Sequence, residues 1–227
     1  MIPFKDDNPT RTVPIVTIGL LTANIAVFSL QLISPLNPRQ VVYAYGAVPH
    51  FILTFSTVQP IHPFLTVFTS MFMHGGLLHL ITNMLYLWIF GDNIEDALGH
   101  IRFLLFYFLC GTAAAYSHAI TDPSSTMPMI GASGAVAGTL GAYLLLFPGA
   151  RVHTLIFFGF FIQVVRLPAV LVLGLWIVIQ FINGVFSSGP VEQSGIAWFA
   201  HIGGFICGVI IIKLLFKSRR KYRIRFR

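Results

Sequence analysis

Six long apolar runs dominate this sequence, and they constrain its fold more than any other feature. A helix that crosses the hydrocarbon of a bilayer needs about 20 largely apolar residues. The runs cover residues 13–33, 77–91 with an apolar shoulder from residue 72, 101–120, 131–147, 167–186 and 196–216. With 56% hydrophobic and 9% charged residues, the composition excludes a soluble globular protein. The sequence therefore predicts an all-α polytopic membrane protein, a bundle of six transmembrane helices.

Two further apolar stretches look unable to span a membrane. Residues 152–165 lie between Arg151 and Arg166 and are too few for a crossing, which favours an interfacial or re-entrant segment. Residues 41–58 are interrupted by Pro49 and flanked by more prolines, which favours a loop. We expect this first outer loop to lie on the membrane or to dip into it.

The distribution of basic residues predicts the orientation of the six helices. With the N-terminus inside, all but Arg39 of the 14 Lys and Arg residues fall on or next to the inner side. This predicts a multi-pass protein of the cell (inner) membrane with both termini in the cytoplasm. The predicted parts are a cytoplasmic tail at 1–12, a six-helix domain at 13–216 and a basic cytoplasmic tail at 217–227. The net charge of +7 is then mainly a topology signal, and the basic tail is expected to contact anionic lipid rather than nucleic acid.

Four polar residues from three predicted helices share one depth. Ser133 lies near the outer end of run 131–147, and His201 lies a little over one turn into the last run. His79 and Asn83 are four residues apart, so they share one face in the outer half of the second helix. A lone Ser beside glycines is usually a packing residue, and a lone His can be a hydrogen-bonding partner between helices. Their common level in the outer leaflet favours a functional site, because polar groups within a membrane are costly.

Small residues predict that the helices carrying Ser133 and His201 approach each other closely. Gly204 and Gly208 form a GxxxG pattern just after His201. Run 131–147 has its own stripe of small residues, at Gly131, Gly134, Gly138 and Gly141. If the two faces meet, a serine oxygen can reach an imidazole nitrogen, which is the geometry of a nucleophile and its base. Symmetric helix association remains the alternative explanation of the GxxxG pattern.

Three motifs in this order resemble the rhomboid intramembrane serine proteases, in the bacterial six-helix form. They are the Gly-Ala-Ser-Gly sequence at 131–134, His79 with Asn83, and Ala200-His201 followed by Gly204 and Gly208. The resemblance implies an intramembrane serine endopeptidase that hydrolyses peptide bonds in or near transmembrane segments. Its partners would be transmembrane protein substrates and the lipid bilayer. It would need no cofactor and no metal, and its site would open toward the outer side.

The resemblance also implies roles for individual residues. Ser133 would be the nucleophile and His201 its general base. His79 and Asn83, with the backbone N–H of Ser133, would form the oxyanion hole. The remaining implied positions are His74 and Gly131, which would line the site, and Glu95, which would be structural.

The sequence departs from the family at Ala137, where many members have an aromatic residue packed on the catalytic imidazole. The ring of His201 would then be held by another residue, and Trp198 or Phe199 is the candidate. The outer-loop acids Asp122 and Glu192 are not placed at the depth of His201, so we expect a dyad without a carboxylate. The loop at 187–195 is rich in Ser and Gly, and we expect it to act as a lid.

Three other functions fit parts of the sequence. A catalytically inactive rhomboid-like protein that binds transmembrane clients is the main alternative. A transporter would explain the polar residues in helices, but no paired inverted repeat with broken helices is visible. A haem or metal carrier would need several histidines to converge, and the candidates are His74, His79, His118 and His201. They form no helical HxxxH or HxxH pair, so a metal site is not expected.

Overall fold

The structure is a computed structural model that describes residues 1–158, 161–186 and 197–224. The helices in these ranges are α1 (Ile15–Ile33), α2 (Pro38–Tyr45), α3 (Pro49–Thr54), α4 (Pro63–Thr69), α5 (Leu77–Leu98), α6 (His100–Thr121), α7 (Ser133–Leu146), α8 (Ala169–Phe186) and α9 (Trp198–Ile224). A 3-10 turn at Ser70–Phe72 joins α4 to α5. The strands are β1 (Ile2–Asp6), β2 (Arg151–Phe158) and β3 (Phe161–Pro168).

A helix lies at each of the six predicted positions, which confirms the helical membrane bundle. Among the described residues, α1, α6, α8 and the first 19 residues of α9 are long and apolar enough to cross a membrane. A fifth candidate is the pair formed by Pro63–Phe72 and α5, which is bent by 83° at the break. The chain is therefore an integral multi-pass membrane protein.

The fourth predicted helix, α7, is shorter than its apolar run suggested. Its 14 residues extend about 21 Å, which is less than the roughly 30 Å of hydrocarbon in a bilayer. Every residue from Gly134 to Tyr143 is buried. Helix α7 thus lies inside the bundle, where it packs mainly against α9, α6 and α5 rather than against lipid.

Glycines bring α7 and α9 into backbone contact, as the small-residue pattern predicted. A methyl group on Gly204 would overlap the carbonyl oxygen of Gly134, and one on Gly208 would overlap the carbonyl oxygen of Gly138. Helix α6 joins the same interface, because Ala114 occupies the space beside Gly134. Small residues of this kind allow the closest approach of membrane helices.

A three-stranded antiparallel sheet, which was not predicted, lies next to the helices. Strands β2 and β3 form a hairpin from the stretch interpreted as interfacial or re-entrant, and β1 adds to its edge with Ile2 opposite Leu155. The stretch is rich in β-branched and aromatic residues, which favour strands. Residues 1–12 are consequently tied to the bundle, and the Tyr143 hydroxyl donates a hydrogen bond to the Asp6 carboxylate. At the other end, α9 continues to Ile224, so the boundary predicted at residue 216 is not the end of a helix.

The first outer loop consists of short helices that brace the entry to α7. Pro38, Pro49 and Pro63 each occupy the first turn of a helix, where proline costs no hydrogen bond. The prolines that predicted a loop therefore begin α2, α3 and α4. A backbone bridge between Ala47 and Met129 ties this loop to the segment before Ser133.

Glu95 is buried near the C-terminal end of α5 and fixes the start of α1. Its carboxylate accepts hydrogen bonds from the backbone N–H groups of Val16 and Thr17 at 2.8 and 2.7 Å and from the Thr17 hydroxyl at 2.7 Å. His100 Nδ1 lies 2.6 Å from the same carboxylate. The first N–H groups of a helix have no partner within it, so Glu95 supplies them. These contacts agree with the structural role expected for Glu95.

Candidate active site

Ser133 is the first residue of α7, and a tight turn places it there. Gly131 has a φ of +119°, in the region that favours glycine. Its N–H donates a hydrogen bond to the carbonyl oxygen of Ser70 at 2.9 Å, which attaches the turn to the segment before α5. The N-terminus of α7 thus points its unpaired N–H groups and the positive end of its dipole toward the surroundings of Ser133.

His201 of α9 lies beside Ser133, as the sequence predicted. The two residues are 68 positions apart, and His201 Nε2 is 2.8 Å from Ser133 Oγ. At this distance the serine hydroxyl can donate a hydrogen bond to the imidazole. Gly134 directly follows Ser133, and Gly204 lies about one turn after His201, so the contact between these glycines explains how the two helices come so close.

The other ring nitrogen of His201 has a partner that was not predicted. His201 Nδ1 is 2.7 Å from the side-chain oxygen of Gln180 on α8. Gln180 is only 6% exposed, although it lies on a helix that is otherwise mostly apolar. In the sequence, Gln180 is a polar residue within an apolar run, a signal that draws attention to it without identifying His201 as its partner.

Two tryptophans contact the imidazole of His201. The Trp198 ring is 6.4 Å from it in an edge-on arrangement, so one of the two predicted neighbours does contact the ring. The Trp176 ring is closer, at 5.8 Å, and was not predicted. Trp176 lies one turn before Gln180 on α8, which places both residues on the face of that helix that meets His201. This face compensates for the small side chain of Ala137, which is fully buried in α7.

His79 and Asn83 face the same cavity from α5. The N–H of Gly75 donates to His79 Nδ1 at 3.4 Å, which leaves Nε2 as the protonated nitrogen. This Nε2 faces the turn before Ser133, since a methyl group on Gly131 would lie 2.7 Å from it. One N–H of the Asn83 amide donates to the carbonyl oxygen of His79 at 3.1 Å, and the amide has a second N–H.

The cavity shared by these residues has a volume of about 660 Å³. Its walls include Ser133, His201, His79 and Asn83, together with Trp176. Cavities of roughly 300–1,000 Å³ with mainly apolar walls and a few convergent polar groups are typical of ligand sites. The three predicted helices therefore bring their polar residues to one cavity.

His74 lies behind His79 rather than in the wall of this cavity. It is 2% exposed, and its ring packs edge-on against the His79 ring at 5.1 Å. Gln31 holds its backbone through two hydrogen bonds, one in each direction. The expectation that His74 lines the site is thus replaced by a position from which it supports His79.

Three other sequence predictions concern the outer-loop acids, the loop at 187–195 and the absence of a metal. Asp122 is at the end of α6, where its N–H bonds to the carbonyl oxygen of His118. Glu192 and the loop at 187–195 lie outside the described residues. Within the described ranges, no group of three His, Cys, Asp or Glu side chains could hold a metal ion. The expectation of a site without metal or cofactor stays a prediction.

Comparison with known proteins agrees with the motifs. The family model of the Rhomboid domain matches residues 62–218. RHOMBOID-like protein 4 of Arabidopsis thaliana is 32% identical over 139 residues, which are 61% of this chain and 31% of that protein. Rhomboid protease GluP of Bacillus subtilis is 28% identical over 205 residues, 90% of this chain and 34% of that protein. Putative rhomboid protease YdcA of the same organism is 35% identical over 78 residues, 34% of this chain and 39% of that protein.

The matched segments span less than half of each of these relatives. The family model, in contrast, covers more than half of this chain and includes all the helices from α5 to α8 and most of α9. The chain therefore belongs to the rhomboid family.

Proposed function

We propose that the protein is an intramembrane serine endopeptidase that hydrolyses peptide bonds in or near transmembrane segments of membrane proteins. The observation that carries this proposal is the 2.8 Å contact between Ser133 Oγ and His201 Nε2 at the wall of a 660 Å³ cavity. Ser133 is the nucleophile and His201 the general base. The names of GluP and YdcA, which call both of them rhomboid proteases, support the same activity.

Acylation follows from the geometry of this pair. His201 Nε2 takes the proton of the Ser133 hydroxyl while the serine oxygen attacks the carbonyl carbon of the scissile bond. The protonated imidazole then gives that proton to the leaving amine, and the peptide C–N bond breaks. An ester between Ser133 and the substrate remains.

Three donors surround the position where the oxyanion would form. They are the Nε2–H of His79, the second N–H of the Asn83 amide and the backbone N–H of Ser133 at the start of α7. Removing one such donor from a soluble serine protease costs about 2.7–4 kcal/mol of transition-state stabilisation. His79 is already oriented by Gly75 and Gly131, so little reorganisation is needed.

Deacylation needs water, and the proposed orientation provides access to it. Basic residues cluster at the inner ends of the helices, which supports termini in the cytoplasm and a cavity that opens to the outer side of the cell membrane. A water molecule in the cavity gives a proton to His201 Nε2 while the water oxygen attacks the carbonyl carbon of the ester. The bond between that carbon and Ser133 Oγ then breaks, His201 gives the proton to Ser133 Oγ, and the new carboxyl end of the substrate is released. The catalytic groups then return to their starting state.

The substrates would be single-pass or other transmembrane proteins that enter from the bilayer beside α8. This helix presents exposed apolar residues along one face, including Leu175, Ile179 and Ile182. A substrate helix must unwind locally at the scissile bond, because an intact helix engages its carbonyl groups in hydrogen bonds.

The second candidate function is a catalytically inactive rhomboid-like protein that binds transmembrane clients. A client-binding protein needs neither the nucleophile nor its base. The direct hydrogen bond between Ser133 and His201 favours the protease.

Labelling with a fluorophosphonate probe tests the proposal. In detergent micelles, we expect the probe to label the wild-type protein, to label Ser133→Ala not at all, and to label His201→Ala far more slowly. Ser29→Ala and His62→Ala are matched controls, since both residues lie on exposed surfaces away from the cavity. Labelling that persists in Ser133→Ala would overturn the proposed nucleophile. A wild-type protein that neither reacts with the probe nor cleaves a transmembrane substrate would favour the client-binding function.

A further inference from the structure

His201 is held from two sides by two different helices. Ser133 Oγ on α7 lies 2.8 Å from its Nε2, and Gln180 Oε1 on α8 lies 2.7 Å from its Nδ1. A neutral imidazole carries one proton, on one nitrogen or the other. The group opposite Nδ1 therefore decides whether Nε2 is free to accept the serine proton.

A carbonyl oxygen at Nδ1 selects the useful tautomer. The Gln180 oxygen can only accept, so it requires a proton on Nδ1 and leaves the lone pair of Nε2 directed at Ser133. If Nδ1 were unprotonated, Nε2 would carry the proton and could not act as the base. In soluble serine proteases an aspartate has this position, and cysteine proteases use an asparagine amide in the same way.

We propose that Gln180 is a positioning residue that fixes the tautomer and ring orientation of His201, an inference that rests on the proposed protease function. The site is then a Ser-His pair with a neutral amide as its third member. Such an amide orients the imidazole without adding a charge to the membrane interior, where an ionised carboxylate is costly.

The surroundings of Gln180 support this role. The side chain is buried, and Trp176, one turn away on the same face of α8, packs against both His201 and Phe205. The same face of α8 thus supplies one hydrogen bond and one aromatic contact to the imidazole. The base on α9 depends on α8 for its orientation.

The test compares variants of Gln180 by the rate of fluorophosphonate labelling at Ser133. Gln180→Leu removes the acceptor and is expected to slow labelling about tenfold, the equivalent of one hydrogen bond. Gln180→Met removes it with an unbranched side chain and is expected to behave alike if the leucine variant does not fold. Gln180→Glu keeps an acceptor at the same reach and is expected to retain labelling within about threefold. Asn183→Leu is the matched control, since it exchanges an amide for leucine on the same helix.

Nitrogen NMR of protein with ¹⁵N-labelled histidine provides a readout that a purely structural role would not change. The His201 signals are identified by their absence from His201→Gln. We expect a proton on Nδ1 in the wild type, Gln180→Glu and Asn183→Leu, and a mixture of tautomers in Gln180→Leu and Gln180→Met.

The outcomes separate the inference from the proposed function. Wild-type labelling rates in Gln180→Leu and Gln180→Met, or slow labelling with an unchanged tautomer, would overturn the positioning role while leaving the protease intact. A wild-type protein without Ser133-dependent labelling would overturn the protease. The NMR result on the uninhibited protein is independent of activity.

Discussion

Gly204 on α9 lies against the carbonyl oxygen of Gly134 on α7, the residue that follows Ser133. The distance between the nucleophile and its base is therefore set by the absence of two side chains. Any group added at this contact pushes the two helices apart, and the hydrogen bond must lengthen or the bundle must distort.

We expect Gly204→Ala to reduce both stability and Ser133 labelling. The added methyl group overlaps backbone, which cannot move aside, and overpacking of this kind costs about 1–3 kcal/mol. Thermal unfolding in detergent and probe labelling measure the two effects. Gly174→Ala on α8 is the matched control, because nothing lies within 4 Å of the added methyl group. Alanine in an open helical position should be neutral or slightly stabilising. An equal loss in both variants would contradict the packing explanation.

We expect Asn83→Ala to slow substrate cleavage by about 10²–10³-fold, because it removes one donor of the oxyanion hole. The effect should appear in kcat, since the developing charge exists only in the transition state. Asn93→Ala is the control on the same helix, because the Asn93 amide contacts Asn8 near the C-terminal end of α5 instead. A similar loss of kcat in Asn93→Ala would show that the effect is structural.

Gly131→Ala should abolish labelling of Ser133, although it adds only one methyl group. The substitution places a methyl group against the His79 ring and requires alanine to adopt a φ of +119°. Gly76→Ala provides the comparison, since Gly76 has an extended backbone and open space around it. Normal labelling in both variants would contradict the role of the turn in placing Ser133.

Glu95→Ala should destabilise the protein more than Asp96→Ala does. Glu95 accepts hydrogen bonds from the first residues of α1, and Asp96 accepts them from Thr12 just before that helix, but Glu95 is fully buried and the Asp96 bonds are exposed. Leaving buried donors without a partner costs about 1–3 kcal/mol. Thermal unfolding of the two variants in detergent gives the comparison, and equal losses would contradict it.

We expect the Asp6 carboxyl group to make the folded protein less stable as the pH rises. Burial raises its pKa above the usual value. For such a carboxyl, the stability present at low pH is lost as the pH rises through the folded-state pKa. Asp6→Asn cannot ionise, so its melting temperature should rise relative to that of the wild type as the pH increases from the ordinary pKa of an aspartate through the higher folded-state pKa of Asp6.

Asp7 is the control for this experiment, because its pKa is shifted in the opposite direction. A hydrogen bond with His153 lowers the pKa of Asp7. The stability it contributes is present above the unfolded-state pKa and is lost as the pH falls through the folded-state value. The melting temperature of Asp7→Asn should therefore fall relative to that of the wild type as the pH rises. Parallel curves for all three proteins would contradict both assignments.

The sequence was sufficient for the positions of the six long helices and for four residues that meet at the cavity, Ser133, His201, His79 and Asn83. Apolar length, basic residues and glycine spacing are local signals, and they led to Ser133 and His201. Gln180 was missed because a single glutamine in an apolar run has no spacing that points to a partner. The contact depends on the rotation of α8, which only the packed bundle determines. The position of His74 behind His79 depends in the same way on Gln31, which is 43 positions away.

The β-sheet was missed for a different reason. The apolar length of residues 152–165 excluded a crossing helix but left the local conformation open, and the partner strand β1 lies far away in sequence. Pairing between such distant segments leaves no periodic signal in the sequence. Strands β1 and β2 are both short, and β1 is not strongly apolar.

The pairing of β1 with β2 also determines the order in which the molecule can be completed during synthesis. Strand β1 is made before α1 to α9, yet Asp6 contacts Tyr143, 137 positions later, and its strand partner begins at Arg151. Strand β1 can therefore pair only after α7 and the hairpin that follows it have been made. We therefore expect β1 to become resistant to proteolysis only when the buried helix carrying Ser133 has reached its place, so that protection of this strand marks the completion of the bundle.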